Sequence, residues 1–177
     1  SVRGANIRLS SQSNAAEDTM TQGLKSFDST GFTLGTAVSV NEDESTYVGW
    51  AWKAGGAPSA DNSAGAGNTP TANSVKIDGV NLGSALSGSI AATRLSANTK
   101  AGFSIVSFAS TGSQATLGHG LSKAPEMIIA VQRTGSAWSV YHVKVGNDKR
   151  LRLDTTAAEA SSSVWGSTTP TSSVFTQ

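Results

Sequence analysis

Apolar and polar positions alternate most clearly after Lys100. Phe103-Ser104-Ile105-Val106-Ser107-Phe108 is partly alternating and rich in β-branched and aromatic residues, and a turn follows at residues 110–112. Ala115-Thr116-Leu117 then leads into Gly118-His119-Gly120. After Lys123-Ala124-Pro125, residues 126–133 are apolar on both strand faces around Met127, Ile128, Ile129 and Val131, the pattern of a central strand. A turn at Thr134-Gly135-Ser136 joins this run to residues 138–145. There Trp138, Val140 and His142 share one face, and Tyr141 and Val143 the other.

The preceding stretch reads differently. Residues 54–74 are almost wholly Gly, Ala, Ser, Asn, Thr and Pro, with no large apolar side chain to offset the entropy of ordering, which predicts a linker or a long loop. Residues 75–99 carry scattered Ile, Val and Leu among Gly and Ser, consistent with short strands and turns; a brief helix at 88–95 is the weakest element of the reading. No amphipathic helix of crossover length is present, so a parallel α/β sheet is not expected. Short strands about ten residues apart with hairpin turns predict an all-β, antiparallel sandwich or jelly roll.

The chain also resembles itself. Ile7-Arg8-Leu9 matches Leu151-Arg152-Leu153, Ala15-Ala16-Glu17 matches Ala157-Ala158-Glu159, and Ser29-Thr30-Gly31-Phe32-Thr33 resembles Ser172-Ser173-Val174-Phe175-Thr176. The spacings are 144, 142 and 143, and the order is preserved. The first copy runs on through Tyr47-Val48-Gly49-Trp50-Ala51-Trp52. The chain therefore reads as an excised piece: residues 1–53 the back half of one module, 54–100 a linker and insertion, and 101–177 the front part of the next. The two parts are also able to pack together as one sandwich.

Composition narrows the function classes. Charged residues make up 14% of the 177, and thirteen basic against twelve acidic side chains leave a net +1, which argues against a nucleic-acid partner. No run approaches the roughly 18 to 20 apolar residues of a spanning helix, so membrane insertion is not expected. With no cysteine, disulfide staples and thiolate chemistry are excluded. Hydroxyl and glycine replace charge: 28 Ser, 19 Thr and 19 Gly favour strands and turns over helices.

Candidate chemistry is sparse. His119 lies between glycines in a turn and His142 in mid-strand, and neither has metal-ligand spacing. Glu42-Asp43-Glu44 lacks the alternating ligands of a calcium loop. Asp28, Glu126, Asp148, Asp154 and Glu159 offer carboxylates, but their spacing selects no glycosidase pair. Neither a nucleophile elbow nor a phosphate loop occurs, so no enzyme activity, cofactor or metal is predicted. Aromatic residues remain. Trp50 and Trp52 have the same parity and share a strand face, where core filling is their ordinary role. Trp138 follows a turn and is the more accessible candidate for stacking on a sugar ring. With Tyr141 and His142 it forms the predicted ligand-binding set.

The string Phe27-Asp28-Ser29-Thr30-Gly31-Phe32-Thr33-Leu34-Gly35, Tyr47-Val48-Gly49-Trp50-Ala51-Trp52-Lys53-Ala54-Gly55-Gly56, Ala101-Gly102-Phe103-Ser104-Ile105-Val106-Ser107-Phe108, Gly118-His119-Gly120-Leu121, Pro125-Glu126-Met127-Ile128-Ile129 and Trp138-Ser139-Val140-Tyr141-His142 resembles the repeated distal modules of tailed-phage tail fibres, particularly those of cyanophages and other marine phages. The likeness extends to Thr155-Thr156-Ala157-Ala158 and Pro170-Thr171-Ser172-Ser173-Val174-Phe175, and leaves out roughly residues 58–89. It implies a lectin-like β-sandwich repeated along an extracellular virion fibre, often a homotrimer that contacts other virion proteins and a host-surface glycan or protein receptor. It transfers no catalytic or ligand residue. Alternatives are a purely structural shaft, spacer or virion-decorating subunit and, less favoured, a polysaccharide-degrading fibre domain.

Overall fold

The computed structural model describes residues 2–177. It is an all-β fold of several small sheets with almost no helix, consistent with a sandwich. β1 (Ile7–Arg8) and β2 (Asp18–Thr19) form one hairpin. β3 (Leu24–Phe27) and β4 (Phe32–Leu34) form a second, closed by Asp28, whose carboxylate accepts the hydroxyls of Ser26 and Thr33. A single helical turn, α1 (Val38–Asn41), follows.

Residues 75–99 form short strands, as their scattered apolar residues predicted, and residues 54–74 form a long loop laid against them. β5 (Val75–Ile77), β6 (Val80–Asn81), β7 (Arg94–Asn98) and β8 (Phe103–Ser107) make a four-stranded sheet ordered β6-β5-β7-β8. Asp78-Gly79, both at positive φ, closes the β5–β6 hairpin as the two-residue turn that suits strand twist. β5 and β7 pair in parallel, the one departure from antiparallel pairing in the named sheets. Residues 88–95 form no helix: Gly88 bridges to Leu117, and Arg94 and Leu95 belong to β7. The core is Val75, Leu86, Ala92, Leu95 and Ala97, joined by Ile77, Leu82, Val106 and Leu121.

Beside the leucines of this core, Ala97 is small where backbone packs directly on the sheet. A Cβ at Gly55 would lie 1.8 Å from the Ala97 carbonyl oxygen. The Gly79 N–H donates to the Gly55 carbonyl at 2.7 Å, and the Ser96 hydroxyl to that of Gly56 at 2.5 Å. Further along, Asn62 bonds Ala92 and Thr93, and Pro58 and Pro70 are buried. Hydrogen bonds and close backbone contact therefore order residues 54–74 without large apolar side chains.

β9 (Thr116–Gly118) follows the central sheet, and β10 (Met127–Ala130), β11 (Ser139–His142), β12 (Lys149–Arg152) and β13 (Ala160–Ser161) form the second four-stranded sheet in chain order. β14 (Val174–Thr176) returns to pair with β9. β10 is an edge strand, not a central one: Met127 and Ile129 face outward, 56% and 44% exposed, although their apolar character had predicted burial.

The internal repeat also appears in backbone pairing. β1–β2 pairs Ile7 with Thr19 and Arg8 with Asp18; β12–β13 pairs Lys149 with Ser161 and Arg150 with Ala160, every residue 142 positions on. The Met20 N–H donates to Asn6 as the Ser162 N–H donates to Asp148. After one inserted residue, Gly23 donates to Met20 as Gly166 does to Ser163, and Asp28 to Gly31 as Thr171 does to Val174, now 143 positions apart. The spatial counterpart of Arg8 is therefore Arg150, whereas the sequence match had paired it with Arg152. The copies then diverge. β4 pairs with β3 but β14 with β9, because Ser167 at positive φ and Pro170 without an N–H occupy the place of β3.

The close approach at Gly55 has a measurable consequence. Gly55→Ala lowers the free energy of urea unfolding by at least about 1–3 kcal/mol, the range of core overpacking, because backbone rather than a movable side chain opposes the methyl. Gly83→Ala, with no atom within 4 Å of the new carbon, stays within about 0.5 kcal/mol of the parent.

Candidate functional site

Residues 47–52 run without regular secondary structure between two anchors. At one end the Tyr47 hydroxyl donates to the Val38 carbonyl at 2.8 Å and accepts the Glu42 N–H at 3.0 Å, tying the segment to α1. At the other, Gly55 and Gly56 are fixed on β5–β7 by the contacts described above. The segment is thereby held over the central sheet. Phe32 lies across Gly49, where a Cβ would come within 3.3 Å of its ring.

The shared parity of Trp50 and Trp52 has a different outcome from core filling. Both rings are at the surface, 78% and 63% exposed. They stack at 6.3 Å between centroids with planes 22° apart, and Trp52 stacks on Phe103 of β8 at 5.8 Å and 15°. Tyr47 and Val48 of the same segment, and Phe27 and Phe32 of the β3–β4 hairpin, are also exposed. Exposed apolar surface of this kind is a candidate binding face, and flat aromatic faces match the C–H faces of sugar rings.

The predicted set Trp138, Tyr141 and His142 lies on or beside β11, in three different environments. Tyr141 is 2% exposed and meets the edge of fully buried Trp165 at 5.9 Å, so its ring is core and offers no sugar-stacking face. Trp138 is half-buried, with its indole N–H donating to the Ser13 carbonyl at 3.0 Å. His142 is half-buried and its Nδ1 accepts the Lys144 N–H. The aromatic pair open to solvent is Trp50-Trp52, stacked on half-buried Phe103, for which shared parity and the run Tyr-Val-Gly-Trp-Ala-Trp were the available signals.

A separate open cleft of about 630 Å³ lies between residues 110–114 and 163–167, with serine hydroxyls and Gln114 above Phe108 and Ile90. Among the described residues, no three or more His, Asp or Glu side chains gather as a metal-binding group.

His119 is structural. Its Nδ1 accepts the Leu121 N–H, so Nε2 carries the proton and donates to the Thr171 carbonyl at 3.1 Å. Burial pushes its pKa below the ordinary 6.5.

In comparisons with known proteins, the family model described as a domain of unknown function (DUF7483) matches residues 1–79 and again residues 79–177. No curated protein and no solved structure matches.

The His119 environment sets an acid dependence. Because its folded pKa is depressed, the unfolded chain takes up the proton first; the stabilisation is complete above pH 6.5 and lost as pH falls through the folded pKa. Glu17, whose pKa is lowered chiefly by the Arg133 hydrogen bond, and Asp78, lowered chiefly by Thr99, add losses below their ordinary 4.5 and 3.8. Urea midpoints are expected to decline from pH 6.5 downward. His119→Gln removes the slope between pH 6.5 and 4.5 and leaves the lower one; an unchanged upper slope refutes the assignment.

Proposed function

The chain belongs to the DUF7483 family, and on that premise we propose that it is a repeated, non-catalytic virion module of the tail-fibre type that binds host-surface glycan through the Trp50-Trp52-Phe103 ladder. The observation that carries this reading is the exposure of two stacked tryptophans on a segment fixed at both ends. A preorganised aromatic face binds without first ordering a loop, and leaving it in water is unfavourable unless a ligand uses it. The duplicated hairpins and the two adjacent family matches support a module made to be repeated. A low-charge, hydroxyl-rich, cysteine-free surface fits an extracellular rod, as does the sequence likeness to phage fibres.

A second reading, a structural spacer that self-associates as a homotrimer, draws on the open edge of β10 with its outward Met127 and Ile129. An unpaired apolar edge is a site another chain can cover.

The two readings separate in one experiment. The full chain is expected to bind host-surface polysaccharide or a glycan array, and Trp50→Ala and Trp52→Ala each weaken binding by about tenfold or more, the effect of losing roughly 1.4 kcal/mol at a hot spot. Trp138→Ala instead lowers stability and spares binding. Trimers that bind no glycan support the spacer, and binding indifferent to both ladder substitutions removes the ladder as the site.

A further inference from the structure

The tip of the first hairpin has a partner that, among the described residues, the tip of the second lacks, although β12 of the second hairpin pairs with β11 and Asp154 accepts the Trp138 N–H. Residues 13–17, at the tip between β1 and β2, sit on the turn formed by residues 133–138. The Glu17 N–H donates to the Arg133 carbonyl at 2.8 Å, and both Glu17 carboxylate oxygens accept from Arg133, at 2.8 Å from Nε and 2.6 Å from Nη2. Arg3 also bonds this carboxylate. The Trp138 indole donates to the Ser13 carbonyl, and Gly135 lies so close beneath the tip that a Cβ would come within 3.1 Å of Asn14 and Ala16 backbone atoms. The turn thus recognises the tip largely through backbone atoms, with one carboxylate fixing its register.

By the 142-residue correspondence, the counterparts of Ser13-Asn14-Ala15-Ala16-Glu17 are Thr155-Thr156-Ala157-Ala158-Glu159. The second tip keeps both alanines and the glutamate, and its hairpin has the same strand register. Ser13 and Glu17 are partly covered by the turn, whereas all five residues of the second tip are exposed and, among the described residues, the Glu159 carboxylate is held by Lys149 of its own hairpin.

We infer that the second tip, residues 155–159, is a docking site for the 133–138 turn of another copy of this chain, with Glu159 taking the place of Glu17 between that copy's arginines. Tip and turn are different patches, so the contact is heterologous and adds copies one after another instead of closing a pair. Within one chain the first tip already fills the turn. Association between chains therefore requires the first tip to release, and the contact is available without that step only to a turn that has no tip of its own. The inference rests on the duplicated hairpin and is independent of glycan binding.

The test uses the full chain. Glu17→Arg sets a cation against Arg3 and Arg133 and frees the turn. In sedimentation velocity its mass is expected to rise with concentration above that of the unsubstituted chain, and the double variant Glu17→Arg/Glu159→Arg returns to the parent mass. If Glu17→Arg loses the β-sheet circular dichroism of the parent, Glu17→Gln, which removes the ion pairs without reversing charge, is read with the same Glu159→Arg reversal. Parent-like mass in the Glu17 variant at every concentration overturns the inference, as does association that persists after Glu159→Arg.

Discussion

The close contact between Gly55 and the carbonyl of Ala97 organises the molecule. It allows a polar, glycine-rich stretch to lie flat on β5 and β7, where Ser96 and Gly79 complete its hydrogen bonds and Asn62 continues the attachment to Ala92 and Thr93. Burial of backbone is favourable only when its donors and acceptors find partners, and these bonds meet that condition. The same contact fixes the end of the aromatic segment. Without it, Trp52 would have no defined position over Phe103, and Trp50 and Trp52 would have no common surface to form.

A second seam joins the first hairpin to the rest of the chain through Glu17, Arg133, Trp138 and Gly135. With one residue in seven charged, few ion pairs are available, and this one is bidentate and supported by the backbone bond from Glu17 to Arg133 and the Trp138 indole bond to Ser13. The seam and the Gly55 contact both recognise main chain in preference to large side chains. That fits a sequence whose bulk is Ser, Thr and Gly, and it explains how a repeat can retain its register while most of its side chains vary.

The sequence was most informative where alternation was strong. Residues 103–108 predicted β8, the runs on either side of residue 134 predicted the β10–β11 hairpin, and the match of Ala15-Ala16-Glu17 with Ala157-Ala158-Glu159 falls at the tips of equivalent hairpins, while the match of residues 7–9 with 151–153 is two residues out of register. Residues 75–99 formed the short strands that their scattered apolar residues predicted, but burial achieved by close approach instead of bulk was harder to see: Ala92 and Ala97 carry little hydrophobic signal. β10 failed in the opposite sense, because apolar residues on both faces do not guarantee a neighbour on both edges. For the candidate site, parity placed Trp50 and Trp52 together but could not show that no second layer covers them. Tyr141 is core because Trp165, in a serine-rich stretch near the end of the chain, folds back against it.

The central claim is that the Trp50-Trp52 face is open to solvent while the remaining tryptophans hold the fold. Oxidation of the unsubstituted chain with N-bromosuccinimide, followed residue by residue by mass spectrometry, tests it most directly. Trp50 and Trp52 should react first and Trp165 last, with Trp138 between them, and added host-surface polysaccharide should protect Trp50 and Trp52 alone. Trp50 and Trp52 as resistant as Trp165 in the free chain would contradict the account.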